Sequence, residues 1–177
     1  MEYALPLAAA VLAIERVAYI GVCRYPAAFV RLISQHALLA RVGPLDAITS
    51  AFVAFKLLQG AVFVAWCVAY GEAGSPHHVV DTDAVVAGVI LVGIGQLLNL
   101  RVFYLLGRSG VFYGNQFGNA LRWHTGFPFS VMRHPQYVGA CLSIWGFFLV
   151  MRFPYPDWYV LPVLETVYYA AGSALEG

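Results

Sequence analysis

The sequence predicts an all-α integral membrane fold, with four to five transmembrane or re-entrant helices and a C-terminal helical hairpin. Three observations predict it. Of 177 residues, 61% are hydrophobic and only 11% are charged, whereas a soluble domain carries about a quarter charged residues. The apolar residues gather into runs of membrane length rather than stripes around a soluble core. Prolines and arginines are concentrated between those runs, where chain ends and turns belong.

The elements follow in chain order. The first apolar run, 5–23, is interrupted by Glu15-Arg16 and reads either as a span or as a helix lying in the interface. Segment 47–70 is long enough to span and carries Lys56 and Gln59 three apart on one helical face. Segment 84–106 also spans and holds Gln96, Asn99 and Arg101. Segment 138–150 is short, and even 136–153 is bounded by Pro135 and Pro154. About 15 helical residues reach only ~22 Å, less than a hydrocarbon core of ~30 Å. This segment is therefore predicted to form a tight hairpin with 157–176 across Phe153-Pro154-Tyr155-Pro156. No internal repeat is visible, and 1–177 reads as a single domain without an appended soluble part. Met1-Glu2-Tyr3 lacks the basic region of a signal peptide, so no cleaved leader is expected.

Charge sets orientation and excludes some partners. The net charge of +1 offers no basic excess for nucleic acid. Arg24, Arg31 and Arg41 lie in region 24–46, and Arg101, Arg108, Arg122 and Arg133 in region 101–135. Loop 71–83 has no Lys or Arg and carries Glu72, Asp81 and Asp83, while the hairpin tip has one charge of each sign, Arg152 and Asp157. The positive-inside rule turns the two arginine-bearing regions and the chain's end towards the cytoplasm. Cys23, Cys67 and Cys141 sit in apolar segments without metal-type spacing and read as buried free thiols. His77-His78 reads as part of a solvated loop, His36 as interfacial, and His124 as a surface or headgroup-zone residue. No metal site and no obligate protein partner are expected.

Four stretches carry residue types suited to chemistry. In Val92-Gly93-Ile94-Gly95-Gln96-Leu97-Leu98-Asn99 the glycines lie inside an apolar helix, not after a strand, so a dinucleotide fold is excluded. Two readings stand: close helix packing through small residues, or approach of a flat ring to the bare backbone beside the two amides. The second stretch, Leu106 to Gly118, has four glycines at 107, 110, 114 and 118, and is expected to leave the helical state as an aromatic interfacial loop. Thr125-Gly126-Phe127-Pro128-Phe129-Ser130 then leads into Arg133-His134-Pro135-Gln136-Tyr137-Val138-Gly139. That cluster is either a basic membrane-edge anchor or an anion site, with Arg133 as a two-pronged donor and Pro135 opening a helix whose N–H groups favour an anion. Finally, Glu165 and Glu176 are eleven residues apart, so they project from one helical face at a separation of ~16 Å. An intramembrane carboxylate is a functional candidate; for Glu165 the competing reading is pairing with Lys56 or Arg101.

Taken together, Gly-x-Gly-Gln, the ordered series Leu-Gly-x-x-Gly-Val-x-Tyr-Gly-x-x-Phe-Gly, Thr-Gly-Phe-Pro-Phe-Ser and Arg-His-Pro-x-Tyr-x-Gly resemble the phospholipid N-methyltransferases, from about Gly93 to Glu176. Glu15-Arg16-Val17-Ala18-Tyr19 and Arg24-Tyr25-Pro26 are similar to the start of the shorter members. Arg-His-Pro-x-Tyr-x-Gly also resembles the isoprenylcysteine carboxyl methyltransferases, so that motif alone indicates the superfamily. The resemblance implies S-adenosylmethionine as methyl donor and a phospholipid in the bilayer as acceptor, with no metal. It implies donor binding by Gly93, Gly95, Gln96, Asn99, Arg133, His134, Pro135 and Glu176, catalytic roles for Arg133, His134 and Tyr137, and acceptor binding by Tyr113, Phe129, Tyr137 and Glu165. Relatives carry an acidic pair after the last helix; here Glu176 matches its first member and Gly177 stands at the second.

The expected activity is N-methylation of phosphatidylethanolamine or its mono- and dimethyl derivatives, in the endoplasmic reticulum with the site facing the cytoplasm, or alternatively in a bacterial inner membrane. Carboxyl methylation of a prenylated cysteine or another lipid-like acceptor is a second enzymatic reading. A non-enzymatic carrier or scaffold is a third, although a carrier more often shows repeat symmetry between halves.

Overall fold

The computed structural model describes residues 3–70, 81–121 and 124–176, apart from the side chains of Leu38 and Glu176. The expectations for His77-His78, Glu72, Arg122, the Glu176 carboxylate and Gly177 lie outside the described residues. The helices are α1 (Ala4–Arg24), α2 (Pro26–Gln35), α3 (Ala37–Val42), α4 (Pro44–Tyr70), α5 (Thr82–Val111), α6 (Pro135–Met151) and α7 (Val160–Glu176), with a short 3₁₀ turn at Gly114–Phe117. Among the described residues every regular element is helical.

α1, α4 and α5 are long and apolar enough to cross a membrane, and α6 and α7 are shorter apolar helices. At 1.5 Å per residue the 17 residues of α6 cover ~26 Å, a little short of the hydrocarbon thickness. The outer surface is apolar too: Val53, Leu57, Val64 and Val68 of α4, and Val86, Val89, Leu97 and Leu100 of α5, are all exposed. A helix apolar on every side is the mark of a membrane span.

Two features of the interior position the site. One buried cluster joins Ala8 and Leu12 of α1 to Phe63 and Trp66 of α4, Ile144 and Phe148 of α6, and Leu161 and Tyr169 of α7. A second, smaller cluster joins Tyr19 and Val22 to Ile48 and Phe112. Between them α5 and α6 pack as the most intimate pair, Gly88 facing Gly146 and Gly95 facing Gly139. The hairpin tip between α6 and α7 is fastened by Arg152, whose Nε and Nη2 donate to Asp157 at 2.8–3.2 Å, while the Trp66 indole donates to the same carboxylate at 2.9 Å.

Two expectations need correcting, and a region read from sequence only for its charge gains structure: 24–46 folds into α2 and α3. Pro26 opens α2 at its first turn, His36 in an extended conformation separates the two helices, and Gly43 at φ 85° turns the chain into α4. Phe29 of α2 packs on Phe117 with ring centroids 5.8 Å apart. The helix expected over 84–106 runs from Thr82, capped by the Asp81 carboxylate on the Ala84 N–H at 3.0 Å, to Val111. Its glycines do not end it at 106. Gly107 alone leaves helical geometry (φ 61°, ψ −174°), producing a kink followed by a further helical turn, and the chain leaves the helix at Phe112 and Tyr113, the latter left-handed at φ 54°. The last apolar helix starts at Val160 rather than 157, because 152–159 form the fastened tip.

Candidate functional site

A cavity of about 550 Å³ lies among α1, α4, α5, α6 and α7, bounded on one side by Phe112, Tyr113 and Phe129 and by Arg133–Tyr137. That volume falls within the roughly 300–1,000 Å³ typical of small-molecule sites.

Its inner end is a chain of buried charges. Glu15, Arg16 and Tyr19 share one face of α1. Arg16 Nη2 donates to Glu15 Oε1 at 2.6 Å. Lys56 Nζ of α4 reaches the Glu15 carboxylate at 2.9 Å, Gln59 Oε1 at 3.0 Å and the Tyr169 hydroxyl at 2.9 Å. Gln59 Nε2 then donates to Glu165 Oε1 of α7 at 2.8 Å. Each ammonium proton thus has an acceptor, which offsets the desolvation of a charge placed in hydrocarbon. The Arg16 guanidinium is also boxed by aromatic rings, its carbon 3.9 Å from the Tyr169 centroid, 5.7 Å from Tyr137 and 5.8 Å from Tyr19.

The α5–α6 wall carries amides and a hydroxyl. Gln96 Nε2 donates to Ser143 Oγ at 2.9 Å, and that hydroxyl donates to the Gly139 carbonyl at 2.9 Å. Asn99 lines the same wall, and its Oδ1 is buried with no protein partner. At the start of α6, Pro135 occupies the first turn, and the His134 ring stacks on Tyr137 at 5.6 Å and 14°. Tyr137 meets Tyr169 edge-on at 5.5 Å.

Of the residues singled out by sequence, Gln96, Asn99, Tyr113, Phe129, Arg133, His134, Pro135 and Tyr137 all line this one cavity. Gly93 and Gly95 do not. Gly93 sits on an exposed face with open space beside it, whereas Gly95 is pressed against Gly139 and Ser143. Glu165, 1% exposed, lies behind Gln59 and takes part through that amide; its link to Lys56 is indirect. The Glu176 side chain lies outside the described residues. Sequence reasoning did not assign Glu15, Arg16, Tyr19 or Tyr169 to a site. The signal was present in Glu15-Arg16, two charges inside an apolar run, which an interior cavity has to receive.

Among the described residues no group of three or more His, Cys, Asp and Glu is arranged to hold a metal ion. The arrangement offers a deep end of paired charges, an amide-lined wall, an aromatic interior and a basic helix start, suited to a ligand with both polar and apolar parts.

Comparison with known proteins gives a consistent family. The family model described as phospholipid methyltransferase matches residues 84–177. A phosphatidyl-N-methylethanolamine N-methyltransferase of Arabidopsis thaliana is 52% identical over 54 residues, covering 30% of this chain and 33% of the relative. The enzyme of that name from Saccharomyces cerevisiae is 45% identical over 60 residues, covering 33% and 29% respectively. A phosphatidylethanolamine N-methyltransferase of Rattus norvegicus is 34% identical over 90 residues, or 50% of this chain and 44% of the relative. The matched stretches therefore span less than half the length of these relatives. No solved structure matches.

Proposed function

The chain belongs to the phospholipid methyltransferase family, and from that membership we propose that it transfers a methyl group from S-adenosylmethionine to the amine of phosphatidylethanolamine or of its mono- and dimethyl derivatives. The observation that carries this reading is the single cavity in which Gln96, Asn99, Arg133, His134 and Tyr137 come together.

The residues fit the donor. It needs hydrogen-bonding groups for a purine and a ribose and a cation for a carboxylate; the unpartnered Asn99 Oδ1 and Gln96 answer the first need, and Arg133 with the start of α6 the second. Gly93, Gly95 and the Glu176 carboxylate enter on family resemblance. The geometry favours an indirect part for Gly95: by admitting α6 it brings Ser143 and Tyr137 against the α5 amides. When bound, the donor supplies a methyl group already activated on a sulfonium ion.

What remains for the protein is positioning and proton removal. Holding two reactants in line removes the entropic part of the barrier. Tyr113, Phe129 and Tyr137 enclose the acceptor headgroup, and Glu165 acts on it through Gln59 and Lys56. Tyr137 presents its ring to both His134 and Arg16, so its part in holding an ammonium group is shared with that aromatic box. An amine attacks only as the neutral base, and His134, lining the cavity beside Tyr137, takes its proton.

The same reading sets the protein in the endoplasmic reticulum membrane with the start of α6 facing the cytoplasm. Support comes from the arginines at 24, 31, 41, 101, 108 and 133 and from the eukaryotic origin of the relatives.

The test is methyl transfer from labelled donor in liposomes offered phosphatidylethanolamine, its monomethyl and dimethyl forms, and a farnesyl-cysteine analogue separately. Label in the phospholipids is expected, and their rank assigns the preferred step. Label confined to the farnesyl-cysteine analogue would replace the acceptor, and no label with no donor binding would refute the reading.

A further inference from the structure

The inner end of the cavity holds donors that the protein itself does not use. Lys56 has spent its three protons on Glu15, Gln59 and Tyr169. Arg16 has not: it gives Nη2 to Glu15, but its Nε is buried without a partner. The Tyr19 hydroxyl, on the same face of α1, is likewise buried and without a partner. Both residues line the cavity, and they are only 6% and 7% exposed. Leaving such donors unsatisfied away from water is costly, so the pair is built to meet an acceptor.

The charge of the wall says which acceptor. At this end Arg16 and Lys56 line the cavity with Glu15 as the one carboxylate in the wall; Glu165 lies a layer behind, on Gln59. The wall itself thus carries an excess of one positive charge, complementary to an anionic oxygen. The shape of the rim says what the anion is attached to. Leu100 and Phe103 of α5 line the cavity yet are 66% and 47% exposed, so its flank is continuous with the lipid-facing surface of the helix. An anion seat that opens sideways onto an apolar face suits an amphiphile. The methyl donor carries no acyl chain to lay along such a face, and the proposed seat for its carboxylate is Arg133.

We infer that Arg16 Nε and the Tyr19 hydroxyl form the seat for the phosphodiester of a phospholipid, holding it by its anion with its acyl chains along Leu100 and Phe103. The identification of that lipid as the acceptor rests on the proposed methyltransferase activity; the seat itself does not. Arg16 is kept in place by Glu15 and by the face of Tyr169, a fixed rotamer that spares the ordering cost of a long side chain.

The experiment measures binding of dihexanoylphosphatidylethanolamine, and of dihexanoylglycerol as its phosphate-free counterpart, to the detergent-held full chain, with S-adenosylmethionine binding and methyl transfer recorded in parallel. Tyr19→Phe removes a hydroxyl that no protein group uses, so its unfolding temperature should equal or exceed that of the parent. Its affinity for the phospholipid should nevertheless fall about tenfold, the loss of one charge-assisted hydrogen bond. Arg16→Gln should lose at least as much, with Arg16→Lys between them, and none should change binding of dihexanoylglycerol or of the donor. Unchanged phospholipid affinity in folded Tyr19→Phe and Arg16→Gln overturns the seat, as does a parent protein that does not prefer the phospholipid to dihexanoylglycerol. A fall in donor affinity instead assigns the anion to the donor's carboxylate and overturns it too. Arg16-dependent phospholipid binding without methyl transfer to any lipid leaves the seat standing and refutes the activity; methyl transfer with unaltered lipid binding does the reverse.

Discussion

Gly95 and Gly139 lie backbone against backbone across the α5–α6 seam: a β-carbon on Gly139 would sit 2.7 Å from the Gly95 carbonyl oxygen and 2.8 Å from Asn99 Oδ1. Seven residues away in each helix, Gly88 and Gly146 repeat the arrangement. Without a hydrophobic drive between helices in lipid, such close approach is what holds two spans together. The seam also sets the distance between Gln96 on α5 and Ser143 on α6.

Alanine at position 95 or 139 should therefore push the helices apart. Overpacking of this kind costs about 1–3 kcal/mol, and the displaced wall should lower methyl transfer further. Gly93→Ala meets nothing within 4 Å and should be neutral or stabilising by about 0.5–1 kcal/mol, as alanine replaces glycine in a helix. Thermal unfolding in detergent beside donor binding separates the cases. A Gly93→Ala protein that keeps its stability but loses the donor would show that the donor reaches the outer face of α5.

The hairpin tip depends on a buried ion pair. Arg152 grips Asp157 with two nitrogens, and Trp66 donates to the same carboxylate. Removing one partner leaves the other charge buried and unpaired, so Asp157→Asn or Arg152→Met should cost about 3–5 kcal/mol. Replacing both together should cost less than either alone. A double variant as unstable as the sum of the singles would contradict this account of the pair.

How much of this could be read from the sequence follows from what each feature depends on. Run length and composition alone identify α4 and α5 as spans, because a span needs only enough apolar residues, whereas Glu15-Arg16 leaves the first run open between a span and an interfacial helix. Pro135 and Pro154 bounded α6 because proline acts locally. The sequence places the end of a helix where the structure has the Gly107 kink: four glycines from 107 to 118 lower propensity without saying which one leaves helical geometry, and the chain leaves the helix only at Phe112, packed on Phe52 and Phe103. The motif residues from Gln96 to Tyr137 come from neighbouring elements and were legible as a group. The charge chain was not. Glu15 meets Lys56 across 41 residues and Gln59 meets Glu165 across 106, and no periodicity encodes which buried charges pair.

Glu165 should prove a positioning residue. Its Oε1 accepts from Gln59, which in turn accepts from Lys56. Glu165→Leu strands the Gln59 amide, a loss of about 1–3 kcal/mol, and loosens Lys56, so lipid KM should rise while donor affinity holds. Glu165→Gln, which retains an acceptor, should restore most of the stability. Lipid kinetics and donor titration on the two variants check this, and a loss of donor affinity in Glu165→Leu would place the carboxylate's role with the donor.

The two amides of α5 make the sharpest contrast. Gln96 is engaged with Ser143 at 2.9 Å, whereas Asn99 Oδ1 is buried and has no protein partner. If the wall serves the donor, Asn99 is paired when the donor is bound, so truncating it should weaken the complex without weakening the fold. Asn99→Ala should lower donor affinity about tenfold, the value of a hydrogen bond to a buried polar group, with an unfolding temperature no lower than the parent's. Gln96→Ala should lose stability as well, because Ser143 loses its donor. Donor titration by calorimetry, alongside thermal unfolding, distinguishes the two. An Asn99→Ala protein that is destabilised and binds the donor normally would make the asparagine a packing residue and move the donor's polar contacts to the Arg133 end of the cavity.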